Sequence, residues 1–164
     1  MSPYSGFKVL VANRGEIALR ILRTCRELGM PSMAVYSDAD ENSLHSRYAD
    51  EAVRIGPADS AGSYLNISAV INAAVKSGAR AVHPGYGFLS ENPEFARAVE
   101  AAGMAFIGPR PETVALTGDK LAARRVAREA GLPVLPGPDE PLNDGPIGSQ
   151  LSSQVVFPVL IKAV

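Results

Sequence analysis

The sequence has a single cysteine, Cys25, no tryptophan and only 6% aromatic residues among 164. A lone cysteine cannot close an internal disulfide, so a disulfide-stapled secreted scaffold is excluded and a reducing, cytoplasmic setting is expected. Neither sign of charge dominates: 16 Lys and Arg face 17 Asp and Glu, without a basic run or an acidic tail. Nucleic acid is therefore not an expected partner, whereas small molecules and other proteins are. No apolar stretch approaches the roughly 18 residues that span a bilayer, so a soluble chain with no membrane partner is expected. Only Met1 to Gly6 precede the first apolar run, which leaves no room for a targeting segment. Zinc, P-loop and hydrolase-elbow spacings are missing too, and the two histidines, His45 and His83, form no metal or catalytic pair.

What is present is 46% hydrophobic residues, enough to bury a core at this length. They fall in short continuous runs at 7–12, 31–36, 52–55, 79–82 and 104–107. Continuous rather than alternating runs predict parallel strands covered on both faces. Helical patterns fill 16–28, 43–49, 67–76, 93–102, 112–116 and 120–130. Gly29, Gly78, Gly103 and Gly131 stand where left-handed closing residues belong, and Asn92-Pro93 reads as an N-cap with proline at the first helical position. The rhythm predicts an α/β fold with an open, mainly parallel, Rossmann-like sheet. A proline and glycine cluster from Pro133 to Gly148 reads as an inter-domain connection. The apolar segment Phe157 to Val164 reads as a strand opening a second domain that the chain does not complete.

Ligands of open parallel sheets lie beyond the carboxyl ends of the strands, so the loops there come first. Asn13-Arg14-Gly15 has only one of the glycines of a dinucleotide fingerprint, although Asp38 stands near the place of its ribose-binding acid; a capped strand-to-helix turn is the simpler reading. The run His83-Pro84-Gly85-Tyr86-Gly87-Phe88-Leu89-Ser90-Glu91-Asn92 combines backbone exposed at two glycines, a tyrosine ring and a carboxylate just before a helix. Such a loop suits a small polar substrate, or equally a rigid turn. In Gly118-Asp119-Lys120, a lysine sits in the first turn of a helix, which suits either a phosphate or a tolerated surface charge. Lys162, alone among apolar neighbours, needs an anionic partner or an escape to solvent. On the first long helix, Glu16 with Arg20 and Arg23 with Glu27 are i,i+4 pairs opposite an apolar stripe that includes Cys25. That face is either solvated or a two-fold interface, and Cys25 reads as core.

Together these segments resemble the N-terminal part of biotin carboxylase. The likeness lies in Val11-Ala12-Asn13-Arg14-Gly15-Glu16-Ile17-Ala18-Leu19-Arg20-Ile21, Ser63-Tyr64-Leu65-Asn66-Ile67, His83 through Asn92, and Gly118-Asp119-Lys120, in order from about Phe7 to Ala163. The resemblance implies a pre-ATP-grasp domain over residues 1–117, then a linker helix and the first strand of a truncated ATP-grasp domain over 118–164. It implies an ATP-dependent ligase that forms carboxyphosphate from ATP and bicarbonate and carboxylates biotin on a carrier protein, working with a carboxyltransferase component. Lys120 and Lys162 would contact ATP, Tyr86 and Gly87 would lie at the biotin end, and Glu91 near the bicarbonate and phosphate region. Arg20, Arg23 and Glu27 would belong to a homodimer interface. Magnesium would be held by residues beyond Val164, and no complete catalytic set is expected in the chain, which alone should be inactive. The segment Gly148 to Val156 departs from the family pattern, as does Val164, where the family has a small residue. The competing expectations are a non-catalytic dimerisation module and a part of another ATP-grasp ligase, against which the complete loop from His83 to Asn92 argues.

Overall fold

The computed structural model describes residue 4 and residues 6–135. The expected strand at 157–164, Lys162, the segment at 148–156 and all but the start of the proline and glycine connection lie outside the described residues. The chain divides into two compact units, Met1–Val114 and Ala115–Val164.

In the first unit, five strands alternate with helices: β1 (Val9–Val11), α1 (Gly15–Leu28), β2 (Ser32–Ser37), α2 (Leu44–Tyr48), β3 (Glu51–Gly56), α3 (Ile67–Ser77), β4 (Ala81–His83), α4 (Pro93–Ala101) and β5 (Ala105–Phe106). A 3-10 turn, Asp38–Asp40, follows β2. The strands form one all-parallel sheet in the order β3-β2-β1-β4-β5. The order reverses at β1, which pairs with β2 on one side and β4 on the other. In such doubly wound sheets the connections before and after the reversal cover opposite faces and open a crevice between the two central strands.

The core follows that layering. Leu10, Ala12, Met33, Val35 and Val82 pack on one face with Val70, Ala73 and Ala74 of α3 and Phe95 and Val99 of α4. Val11 and Ala34 pack on the other with Ala18 and Leu22 of α1, as do Val9 and Ala81 with Cys25. β1 is buried throughout, as continuous apolar runs require. The two edge strands depart from that expectation, because each has a neighbour on one side only: in β3 Glu51 and Arg54 are exposed and Ala52 and Val53 half-buried, and in β5 Ala105 is exposed and Phe106 half-buried. Burial keeps Cys25 in the core and pushes its thiol pKa up.

The helix punctuation is also as read. Gly29 and Gly78 close α1 and α3 in the left-handed conformation, and the Asn92 side chain accepts from the amides of Glu94 and Phe95. Helix α5 (Pro111–Gly118) runs across the division between the units, and α6 (Lys120–Glu129) belongs to the second. None of the described helices is long and apolar enough to cross a membrane.

Candidate functional site

The crevice at the sheet reversal is built from the loop after β1 and the loop after β4. Asn13, one residue past the apolar run of β1, is fully buried. Its Nδ2 donates to the carbonyls of Pro84 at 2.8 Å and Tyr86 at 3.0 Å, and its Oδ1 accepts from the Arg14 amide at 2.9 Å. A buried amide side chain thus satisfies both of its donors by joining the two loops. Gly85 makes the close approach possible: its φ is +68°, and a Cβ there would stand 2.6 Å from Asn13 Nδ2. Its amide donates to His83 Nδ1 at 3.0 Å. The Tyr86 hydroxyl meets Glu16 Oε2 at 3.2 Å, which ties the ring to the first turn of α1 while 56% of the residue stays exposed. Gly87 and Glu91 are exposed, and Leu89 is buried.

Beside this junction lies a polar network centred on Asp40, which is only 4% exposed. Its carboxylate takes a two-pronged contact from Arg14, Nε at 2.7 Å and Nη2 at 2.6 Å. It also accepts from the Tyr64 hydroxyl at 2.9 Å, Ser43 at 3.1 Å and Ser37 at 3.3 Å. The Arg14 guanidinium, with the Tyr64 and Ser43 hydroxyls, holds the Asp40 pKa at about 2 against the opposing effect of burial. Burial, and then the bond to Asp40, push the Tyr64 phenol up to about 12. Tyr64 in turn stacks on Phe88, with ring centroids 5.1 Å apart. Asp38, near the place of a dinucleotide acid, forms an exposed ion pair with Arg54.

The turn into α1 is not capped by its own first residue, since Arg14 makes no side-chain cap bond. His45 supplies the acceptor instead. Its Nδ1 receives the Gly15 amide at 3.4 Å, so its Nε2 donates to the Val35 carbonyl at 3.2 Å. Burial lowers the His45 pKa and holds the neutral ring.

The other expected residues fall elsewhere. Arg20, Arg23 and Glu27 are exposed on α1; Arg20 lies 3.9 Å from Glu16, while no Arg23–Glu27 ion pair forms among the described residues. A cavity of about 400 Å³ opens beside α1, lined in part by Ile17, Arg20, Cys25, His83 and Tyr86. In the second unit, Asp119 caps α6 by accepting from the amides of Leu121 and Ala122, each at 2.9 Å. Two of the amides at that helix start are thereby occupied by the cap. Among the described residues no group of three or more His, Cys, Asp or Glu could hold a metal ion.

A sequence model of the N-terminal domain of biotin carboxylase matches residues 6–114, the span that builds this sheet and crevice. The chain belongs to the biotin carboxylase family. Over 157 residues it is 53% identical to biotin carboxylase of Allochromatium vinosum, covering 95% of this chain and 35% of that protein. It is 52% identical to the alpha subunit of rice mitochondrial methylcrotonoyl-CoA carboxylase, covering 94% of this chain and 21% of that one. Among solved structures, the biotin carboxylase domain dimer of Hydrogenobacter thermophilus 2-oxoglutarate carboxylase, in complex with MgADP, ADP and bicarbonate, matches with a TM-score of 0.77 at 47% identity. That match covers 80% of this chain and 29% of the other. The chain thus spans about a third of the biotin carboxylase it matches. Asn13, Asp40, His45 and Tyr64 went without a role in the sequence reading; the one signal available was a polar residue, Asn13, ending an apolar strand.

Proposed function

We propose that this chain is the N-terminal part of a biotin carboxylase, which uses ATP and bicarbonate to carboxylate carrier-bound biotin through carboxyphosphate. The observation that carries the reading is the joining of the β1 and β4 loops at the sheet reversal, in a chain 53% identical to a biotin carboxylase. Tyr86 offers an exposed ring to the bicyclic substrate, and Gly87, whose Cβ position is open space, lets that substrate approach the backbone. Glu91 stands just before α4, towards the bicarbonate and phosphate region. Lys120 and Lys162 are the ATP contacts, and residues 118–164 are the opening of the ATP-grasp domain. Magnesium, when bound, neutralises phosphate charge, and its ligands are supplied from outside this chain. Arg20, Arg23 and Glu27 belong to a homodimer interface, the carrier and carboxyltransferase are the further partners, and the working compartment is the cytoplasm.

The test joins residues 1–164 to the remaining C-terminal part of the Allochromatium vinosum enzyme. The chimaera is expected to carboxylate biotin in the presence of ATP and bicarbonate, and the chain alone to show no bicarbonate-dependent ATP hydrolysis. A folded but inactive chimaera, or a chain that hydrolyses ATP alone at the rate of the complete enzyme, refutes the proposal.

A further inference from the structure

We propose that Asn13 is a positioning residue for the biotin end of the site, acting through the loop that carries Tyr86 and Gly87. The inference rests on the reading of those two residues given above and adds a residue that touches no substrate.

The loop is pinned at both ends and exposed in the middle. At its start, both bonds from Asn13 Nδ2 go to loop carbonyls, those of Pro84 and Tyr86, one on each side of Gly85. A third tie, from the Gly85 amide to His83 Nδ1, fixes the same bend. At its end, Phe88 adopts a φ of +46°, the one positive value among the described non-glycine residues, and its ring stacks on Tyr64. A bulky residue keeps that conformation only where its surroundings impose it. Tyr86 and Gly87, between the two anchors, are exposed.

Asn13 is the tighter of the anchors because it has no alternative. It is fully buried, so no water can replace a lost partner, and its two donors find acceptors only while the loop holds this shape. The carbonyl of Tyr86 belongs to the very residue that offers its ring to the substrate. The placement of that ring thus depends on a side chain of β1's end, 73 residues away in sequence.

The substitution Asn13→Asp keeps size and the acceptor for the Arg14 amide, removes both donors and sets a carboxylate against two carbonyls. In the active chimaera it is expected to raise the KM for free biotin about tenfold or more, with the KM for ATP unchanged within about twofold. Hydrogen exchange at amides 85–90 is expected to speed up while that of β1 and β4 is unaltered. An unchanged biotin KM overturns the proposal, and so does an equal rise in both KM values with exchange accelerated throughout the sheet, the mark of a purely structural residue. Tyr86→Ala, measured alongside, separates the two levels of inference. If it raises the biotin KM and Asn13→Asp does not, the role of Asn13 fails and the loop assignment stands; if neither raises it, both fail. Should Asn13→Asp not fold, Asn13→Ser, which keeps one donor, is expected to give the same split at about threefold, and its absence is equally decisive.

Discussion

Replacing Asp40 by asparagine isolates one electrostatic contribution of the crevice and gives it a pH signature. Every contact of the carboxylate in this network is with a donor: two guanidinium nitrogens of Arg14 and the hydroxyls of Ser37, Ser43 and Tyr64. The amide nitrogen of asparagine cannot accept from any of them, so the variant carries a pH-independent penalty from mismatched donors. A second part titrates. The folded pKa of about 2 lies below the ordinary aspartate value of 3.8. A depressed carboxylate pKa stabilises the fold above the unfolded value, and that stability is lost as pH falls through the folded one. The difference, just under two pH units, contributes about 2 kcal/mol at neutral pH, roughly half of that at pH 3 and little at pH 2.

The assay is urea unfolding of wild type and Asp40→Asn from pH 7 to pH 2, followed by tyrosine circular dichroism. All five tyrosines, at 4, 36, 48, 64 and 86, lie in the first unit, and with no tryptophan in the chain the signal reports on that unit alone. Other carboxylates titrate in both proteins and cancel in the difference. The stability gap should stay flat from pH 7 to about pH 5 and then close by about 2 kcal/mol on the way to pH 2. A gap that stays constant over the whole range would falsify the Arg14–Asp40 account, because the carboxylate would then have the same pKa folded and unfolded.

The two glycines of the loop should separate cleanly in the same assay. Gly85→Ala adds a Cβ at 2.6 Å from Asn13 Nδ2 and 2.8 Å from Ile17 Cγ2 at positive φ, and is expected to destabilise by about 3 kcal/mol. Gly87→Ala shares the positive φ but meets nothing within 4 Å, so about 1 kcal/mol is expected, and equal losses would count against the clamp. For His45, an NMR titration of the ring should show protonation only below the ordinary 6.5, because burial disfavours the charged form. Since the unfolded chain takes up that proton first, stability falls as pH drops below 6.5, and His45→Gln should weaken the decline; a ring titrating at or above 6.5 contradicts its assigned bonding.

The sheet was legible because its information is local. Five apolar runs and six helical patterns correspond to the described elements with ends shifted by one or two residues, and glycines mark the helix ends. Where burial was misjudged, at β3 and β5, the cause is strand order: both runs read much like central strands, and only the topology places them at the edges. The loop from His83 to Asn92 was legible for a different reason, since glycines around a tyrosine have no use in regular structure.

The polar framework beneath that loop was not legible, and the reason is sequence separation. Tyr64 and Asp40 are 24 residues apart, Arg14 and Asp40 26, and Asn13 and Pro84 71. Helical spacing rules relate residues three or four apart and strand rules relate alternate ones, so none of these partnerships leaves a periodic trace. What does leave a trace is demand. A polar side chain set directly after an apolar parallel strand is carried into the interior and must be satisfied there. In a doubly wound sheet the two strands at the reversal bring their following loops within reach of each other, so the partner of such a residue is to be sought in the loop after the other central strand. Applied to this chain, that argument points from Asn13 to the loop after β4 once the strand order is known, and it singles out Asn13 over Asp38, which follows β2 on the outer side of the reversal and finds only a surface arginine.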